Sequence, residues 1–163
     1  MGSEMCIRDR WLLIVAVLCT VYRDKPEKRR YERAVFEICR KNGKTFLIGV
    51  IFLLLFFLEP KLSKFYSVAP DGSLSREVKS AIHDIIISSP ALAGKYNGKD
   101  KFKMLRDQIT CNLTENDYFP LNYSTSRLDG KLPNVFLVDE AGALPNPYAI
   151  EAMAVSYTHL TLP

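Results

Sequence analysis

Arg40-Lys41-Asn42-Gly43-Lys44-Thr45 lies between two apolar runs, residues 34–39 and 46–58. A polar, glycine-containing turn after a β-branched and aromatic stretch, followed at once by a helix, has the layout of a phosphate cradle. Backbone N–H groups of the loop and the first helical turn converge on one spot, where the helix dipole adds partial positive charge. Lys44 would reach the β- and γ-phosphates of ATP, and the Thr45 hydroxyl would ligate Mg²⁺. The strict phosphate-loop pattern begins with a glycine where this chain has Ile38. The loop alone therefore fits a plain strand–turn–helix with a solvated basic turn as well as it fits a nucleotide site.

A second stretch narrows the choice. Val135-Phe136-Leu137-Val138-Asp139-Glu140 reads as a buried parallel strand whose C-terminal edge carries two carboxylates. In a phosphate-loop enzyme the first acid holds Mg²⁺ and a following glutamate polarises the attacking water. An ordinary strand ending in a solvated acidic turn looks the same in isolation. The two stretches together, in this order and each with its strand on the N-terminal side, point to ATP hydrolysis.

The basic loop resembles the variant Walker A motif of the large terminase subunits of tailed bacteriophages, in which an R-K-x-G-K-[ST] run replaces the usual first glycine. Arg127-Leu128-Asp129-Gly130-Lys131-Leu132-Pro133-Asn134, leading directly into the acidic strand, is similar to that family's approach to Walker B, and Ser89-Pro90-Ala91-Leu92 is similar to a phrase from the middle of its domain. The resemblance spans residues 22–153. It implies an α/β fold of the P-loop NTPase type, three-layered with a mainly parallel sheet and truncated here, and an ATPase motor that drives double-stranded DNA into a preformed capsid. Portal protein, the small terminase subunit and further copies in a homo-oligomeric ring would be its partners, in the cytoplasm of a bacterial host. The family's nuclease half has no counterpart in these residues.

On this reading residues 40–45 bind ATP, Lys44 neutralises the β/γ oxygens, Thr45 and Asp139 hold Mg²⁺, and Glu140 orients or deprotonates water. Arg40 has two roles open to it. In the terminase pattern an arginine at this position acts in cis on the γ-phosphate, an effect worth about 10³–10⁵ in rate where an arginine finger operates. Alternatively, Arg40 and Lys41 only supply positive potential around the triphosphate.

These residues need elements to position them. At 163 residues the chain has room for one domain with a proper core. Its 48 % hydrophobic and 25 % charged residues are those of a globular protein. A net charge of +4 permits DNA contact without the dense basic stripe that would argue for it. Cys6, Cys19, Cys39 and Cys111 have neither C-x-x-C spacing nor a histidine pair nearby, so neither zinc nor a disulfide framework is indicated.

Residues 1–10 and 154–163 do not continue the logic of their neighbours and read as translated adaptor sequence, leaving 11–153 as a partial ATPase domain. Residues 11–21 are apolar after Arg8-Asp9-Arg10, but Leu18-Cys19-Thr20-Val21-Tyr22 offers no small-x-small cleavage site, so a buried helix is expected there. In the resembled family an adenine-contacting segment sits near this point; here no glutamine precedes Gln108. Residues 23–33 mix charges of both signs around Pro26 and read as an exposed connector.

Residues 46–58 are too short for the roughly 20 that span a membrane and read as a core helix ended by Pro60. Residues 64–69 read as a strand, 70–73 as a turn, and 75–88 as an amphipathic helix with Val78, Ile82, Ile85 and Ile86 inward, a β-α-β unit. His83 lies at that helix's edge without a metal-type partner. Residues 94–103 read as a loop, 108–113 and 118–124 as a hairpin or edge strands, and 148–153 as the start of a helix. Two other function classes stay in view: a helicase-like phosphate-loop translocase, and a small membrane-associated protein built on residues 11–21 and 46–58, against the expectation of no stable membrane association.

Overall fold

The computed structural model describes residues 10–36, 43–124, 128 and 130–152, in two compact units, Met1–Leu47 and Ile48–Pro163. In the first unit, residues 10–19 are helical (α1), the second half, Val15–Cys19, in the wider π form. The expected buried helix is thus present but only partly buried. Ile14 and Leu18, four residues apart, are covered, while Trp11 and Leu12 are exposed. One i,i+4 pair makes a single stripe, and the rest of the surface stays open.

The charged connector comes next as predicted, exposed and folded back on itself. Arg30 N–H donates to Thr20 O at 2.9 Å, Val21 bridges Arg29, and Lys28 lies 3.3 Å from Glu32. The strand expected over residues 34–39 does not form in its described part, 34–36, where Val35 is 89 % exposed. β-branched residues favour a strand only where another strand pairs with them. The remaining residues of that stretch, 37–39, lie outside the described residues, as do the outer ends 1–9 and 154–163.

The helix α2 (Lys44–Leu58) belongs from Ile48 onward to the second unit. It is the expected core helix, with Ile48, Phe52, Leu53, Leu55 and Phe56 buried, although Phe57 and Leu58 are exposed. Among the described residues no helix is long and apolar enough to cross a membrane.

The strand β1 (Lys64–Ala69) has every residue after Lys64 buried, as a strand covered on both faces should. The helix α3 (Gly72–Ser88) starts three residues earlier than periodicity predicts, because Asp71 caps it, accepting from Ser73 N–H at 2.7 Å and Leu74 N–H at 3.0 Å. A bond from the Ser73 hydroxyl, with those two from the backbone, holds the Asp71 carboxyl below its ordinary range. Val78, Ile82 and Ile86 are buried, as their spacing requires. A Cβ on Gly49 would lie 3.0 Å from Ile85 Cδ1 and 3.5 Å from Ala81, so the missing side chain lets α3 approach α2 closely. His83 is at the helix surface, 3.2 Å from Asp84.

After the short helix α4 (Pro90–Ala93), the expected loop is instead a two-stranded hairpin, β2 (Lys95–Tyr96) and β3 (Lys99–Asp100), running into β4 (Phe102–Leu105). Asn97 and Gly98 both have positive φ, the primed-turn geometry that matches strand twist. Lysines concealed these strands from a hydrophobicity reading; β4 is an edge strand, where lysine is the usual guard. The expected hairpin is present as β5 (Gln108–Cys111) and β6 (Asn116–Asn122). Then come β7 (Val135–Val138), a 3₁₀ turn at Ala141–Ala143, and α5 (residues 148–152).

The sheet order is β4-β5-β6-β1-β7, with β1 parallel to both β6 and β7 and an antiparallel extension through β5 and β4. This is the α/β architecture with a parallel centre that the sequence predicts. Rings from α2 cover one face: Phe52 lies 5.1 Å from Tyr118, and Phe56 5.0 Å from Phe65. Val68, Leu128 and Ala149 form a core on the opposite face, joined by Phe136, Leu144 and Tyr148. The result is three layers.

Two asparagines set the register of the parallel centre. Asn116, fully buried, accepts from Ser63 N–H at 2.8 Å and donates to Phe56 O at 2.9 Å, tying the end of α2 to the start of β1. Asn134 accepts from Lys64 N–H at 2.9 Å, while its own N–H donates to Lys64 O. A one-residue slip would turn every side chain to the wrong face. Asn116→Ala strands the buried Ser63 N–H, at a cost of about 1–3 kcal/mol, while Phe56 O keeps its bond from the Thr114 hydroxyl at 2.9 Å. Urea denaturation is expected to show a loss of about 2 kcal/mol, against about 1 kcal/mol for the more exposed Asn134→Ala.

Candidate active site

In the first unit, the described part of the basic loop is Gly43, Lys44 and Thr45. Gly43 has φ +70, in the left-handed region. Any Cβ there would be strained and would sit 3.3 Å from the Arg10 guanidinium. Leu47 N–H donates to Gly43 O at 3.0 Å, the first rung of the α2 ladder, which makes Gly43 the cap and Lys44 and Thr45 the first two helical residues. Both are half-exposed, and no acidic residue stands in the first turn. The first-turn amides of a helix lie outside its own ladder, so this end of α2 combines backbone donors, the positive end of the dipole and a lysine. It has the chemistry to receive an anion. Arg40, Lys41 and Asn42, assigned to ATP binding by the sequence, lie outside the described residues.

In the second unit, β7 pairs with β1 from Phe65↔Val135 to Val68↔Val138, and Asp139 N–H extends the ladder to Val68 O at 2.9 Å. Its four residues are half-buried rather than fully buried as predicted, because among the described residues β7 pairs on one side only. Asp139 is only 7 % exposed. Its Oδ1 accepts from Glu140 N–H at 3.0 Å. Glu140 itself takes a left-handed conformation (φ 49, ψ 46) and is exposed. Ala143 N–H closes the next turn on Glu140 O at 2.8 Å. The strand end therefore delivers two unlike carboxylates, one sunk into the sheet edge and one turned outward by a sharp change of backbone direction.

Sequence reasoning passed over the polar pair beneath this edge. Ser67 on β1 and Tyr118 on β6 are both buried, and their hydroxyls are 2.7 Å apart. Burial pushes the Tyr118 phenol well above its ordinary range, and the Asp139 charge adds to the push, while the Ser67 hydrogen bond opposes it. The phenol is neutral and keeps its proton at any physiological pH. One signal was present in the sequence: Ser67 is a polar residue at the centre of the apolar strand Lys-Phe-Tyr-Ser-Val-Ala.

Among the described residues there is no group of three or more His, Cys, Asp or Glu side chains that would cage a metal ion. A magnesium ion carried by a nucleotide does not need one, since it keeps several waters and takes one or two protein oxygens besides the phosphates. Thr45 in the first unit and Asp139 in the second each carry a hard oxygen of the kind such an ion prefers.

The family model described as terminase large subunit, ATPase domain, matches residues 13–159. No curated protein matches the sequence. Among solved structures, the crystal structure of the HK97 bacteriophage large terminase superimposes with a TM-score of 0.72 at 21 % identity, covering 93 % of this chain and 30 % of that one. The likeness is one of fold, and the chain spans under a third of that protein's length.

Proposed function

The chain belongs to the family of ATPase domains of large terminase subunits, and from that premise we propose that it is the ATP-hydrolysing part of a motor that moves double-stranded DNA into a phage capsid. The observation that supports this reading is the local setting of each motif end, taken within its own unit. Gly43-Lys44-Thr45 caps and opens a helix, and Asp139-Glu140 closes a strand of the parallel centre. Lys44 neutralises the β/γ oxygens, and residues 40–45 bind ATP. Thr45 and Asp139 hold Mg²⁺, which when bound offsets negative charge on the phosphate oxygens. Glu140, outward-facing, orients water or takes its proton.

Residues 11–153 make up the partial domain, with 1–10 and 154–163 as non-native ends; the family match reaches residue 159, into the second of these. Portal protein, the small subunit and neighbouring copies in a ring are the partners, and the cytoplasm of the infected bacterium is the setting.

The test is phosphate release by the purified chain with Mg²⁺ and ATP, with and without double-stranded DNA. Mg²⁺-dependent release is expected, and its absence together with a failure to bind an ATP analogue would overturn the proposal. Arg40→Ala separates the two roles of that residue. A finger in cis predicts a turnover loss of about 10³-fold or more with little change in affinity, whereas equal losses in both favour the electrostatic role.

A further inference from the structure

The edge strand β4 pairs with β5 from Phe102↔Cys111 to Leu105↔Gln108, closed at one end by the two-residue turn Arg106-Asp107. Beyond its other end, Asn112 N–H donates to Lys101 O at 2.8 Å. Alternate residues of an antiparallel ladder bond across it. Lys103 and Leu105 therefore bond β5, and the N–H and C=O groups of Phe102 and Met104 point to the open edge. Among the described residues no hydrogen bond reaches those outward groups. The side chains of the same two residues floor a groove of about 140 Å³, walled by Ile86 and Ile87 of α3 and Leu92 and Ala93 of α4. Ile87 is 59 % exposed. Two lysines pin the walls. Lys79 Nζ on α3 donates to Leu105 O at 2.6 Å and Arg106 O at 2.7 Å, and Lys101 Nζ donates to Ala91 O at 2.6 Å. Walls fixed beforehand reduce the ordering cost of binding.

Pockets for small molecules measure about 300–1,000 Å³, so this groove suits single side chains. Unpaired ladder groups beside an apolar groove take up an extended peptide as an added strand, with every second side chain in the groove. Charge selects among such peptides. Residues 95–107 hold Lys95, Lys99, Lys101, Lys103 and Arg106 against Asp100 and Asp107. Lys103 is exposed and lies between Phe102 and Met104, so it projects from the face opposite the groove. A second copy of β4 laid antiparallel here, Phe102 opposite Met104, would set Lys103 against Lys103, a repulsive pair. An acidic strand would set a carboxylate there instead. We propose that the β4 edge and its groove are a docking site for an extended segment of a partner protein, aliphatic at alternate positions and acidic at those between. The aliphatic side chains enter the groove, and the carboxylates line up with Lys103 on the other face. This site is independent of the nucleotide reading.

The probe is a fluorescein-labelled peptide in which valines alternate with glutamates, its anisotropy followed as the whole chain is added. Saturable binding is expected, and about tenfold or weaker binding of a counterpart with lysines for glutamates. Ile87→Asp removes an apolar wall and should weaken the acidic peptide about tenfold. Lys103→Glu should weaken it about fivefold, with a smaller dependence on salt. Met104→Pro removes an outward N–H at an edge position where proline is tolerated, and should weaken it about tenfold. If Met104→Pro does not fold, Ile87→Asp and Lys103→Glu, both at exposed positions, carry the test. Failure of the acidic peptide to bind, or equal binding of its lysine counterpart, overturns the proposal. Unchanged affinity in folded Ile87→Asp removes the groove from the site and overturns it too. A dimer seen by sedimentation that Met104→Pro dissolves assigns the edge to a second copy and overturns the occupant. Displacement of the peptide by double-stranded DNA, with both ligands indifferent to Ile87→Asp, marks a merely electrostatic surface and also overturns it.

Discussion

Glu140→Gln is expected to bind ATP as tightly as the unmodified chain and to hydrolyse it about 10²–10⁴-fold more slowly, the range a positioned general base contributes. The substitution conserves size and keeps an acceptor while removing the charge and basicity. Glu140 is exposed and stands just beyond β7, so little packing changes. The left-handed backbone at this residue (φ 49) is as open to glutamine as to glutamate. A rate loss would therefore report chemistry and not unfolding. Single-turnover phosphate release and equilibrium binding of a fluorescent ATP analogue measure the two quantities separately. Turnover close to that of the unmodified chain would remove Glu140 from the catalytic assignment.

Lys44→Ala is expected to fail at both steps. Hydrogen bonds to charged groups contribute about 1.5–3 kcal/mol, so affinity should fall by about 10–100-fold. Hydrolysis should fall further, on the order of 10³-fold, because on the proposed reading the ammonium would also answer charge that develops on the β/γ oxygens during transfer. Lys44 is the first residue of α2 and half-exposed, and alanine is the better helix former. An affinity indistinguishable from that of the unmodified chain would show that Lys44 does not meet the phosphates. The contrast between the two variants, one losing rate alone and one losing both, is what a hydrolytic nucleotide site predicts and a solvated basic turn does not.

Much of the frame was legible because it obeys local rules. The run 46–58 is apolar all round and stops at Pro60, which is sufficient to name a core helix; α2 occupies it. Val78, Ile82 and Ile86 recur at helical spacing and are the buried face of α3. Residues 64–69 alternate too little to be a one-faced strand, and β1 is buried on both sides. The errors also have causes. Residues 34–36 have strand-like composition, but composition provides no pairing partner. The lysines of residues 95–103 look like a loop, yet three short strands fit there because their ladder bonds are made by the backbone and are blind to side-chain charge.

For the site, residue types and spacing by themselves determined that a glycine–lysine–threonine turn opens a helix and that two acids end an apolar strand, since capping, left-handed turns and burial patterns are encoded within a few residues of each position. The tertiary structure alone decided that the two acids differ, Asp139 sunk beside β1 and Glu140 turned outward. It alone brought Ser67 and Tyr118, fifty-one positions apart, to within 2.7 Å beneath that edge. Parallel pairing joins strands far apart in the chain, and no short-range pattern specifies which strand will lie beside which.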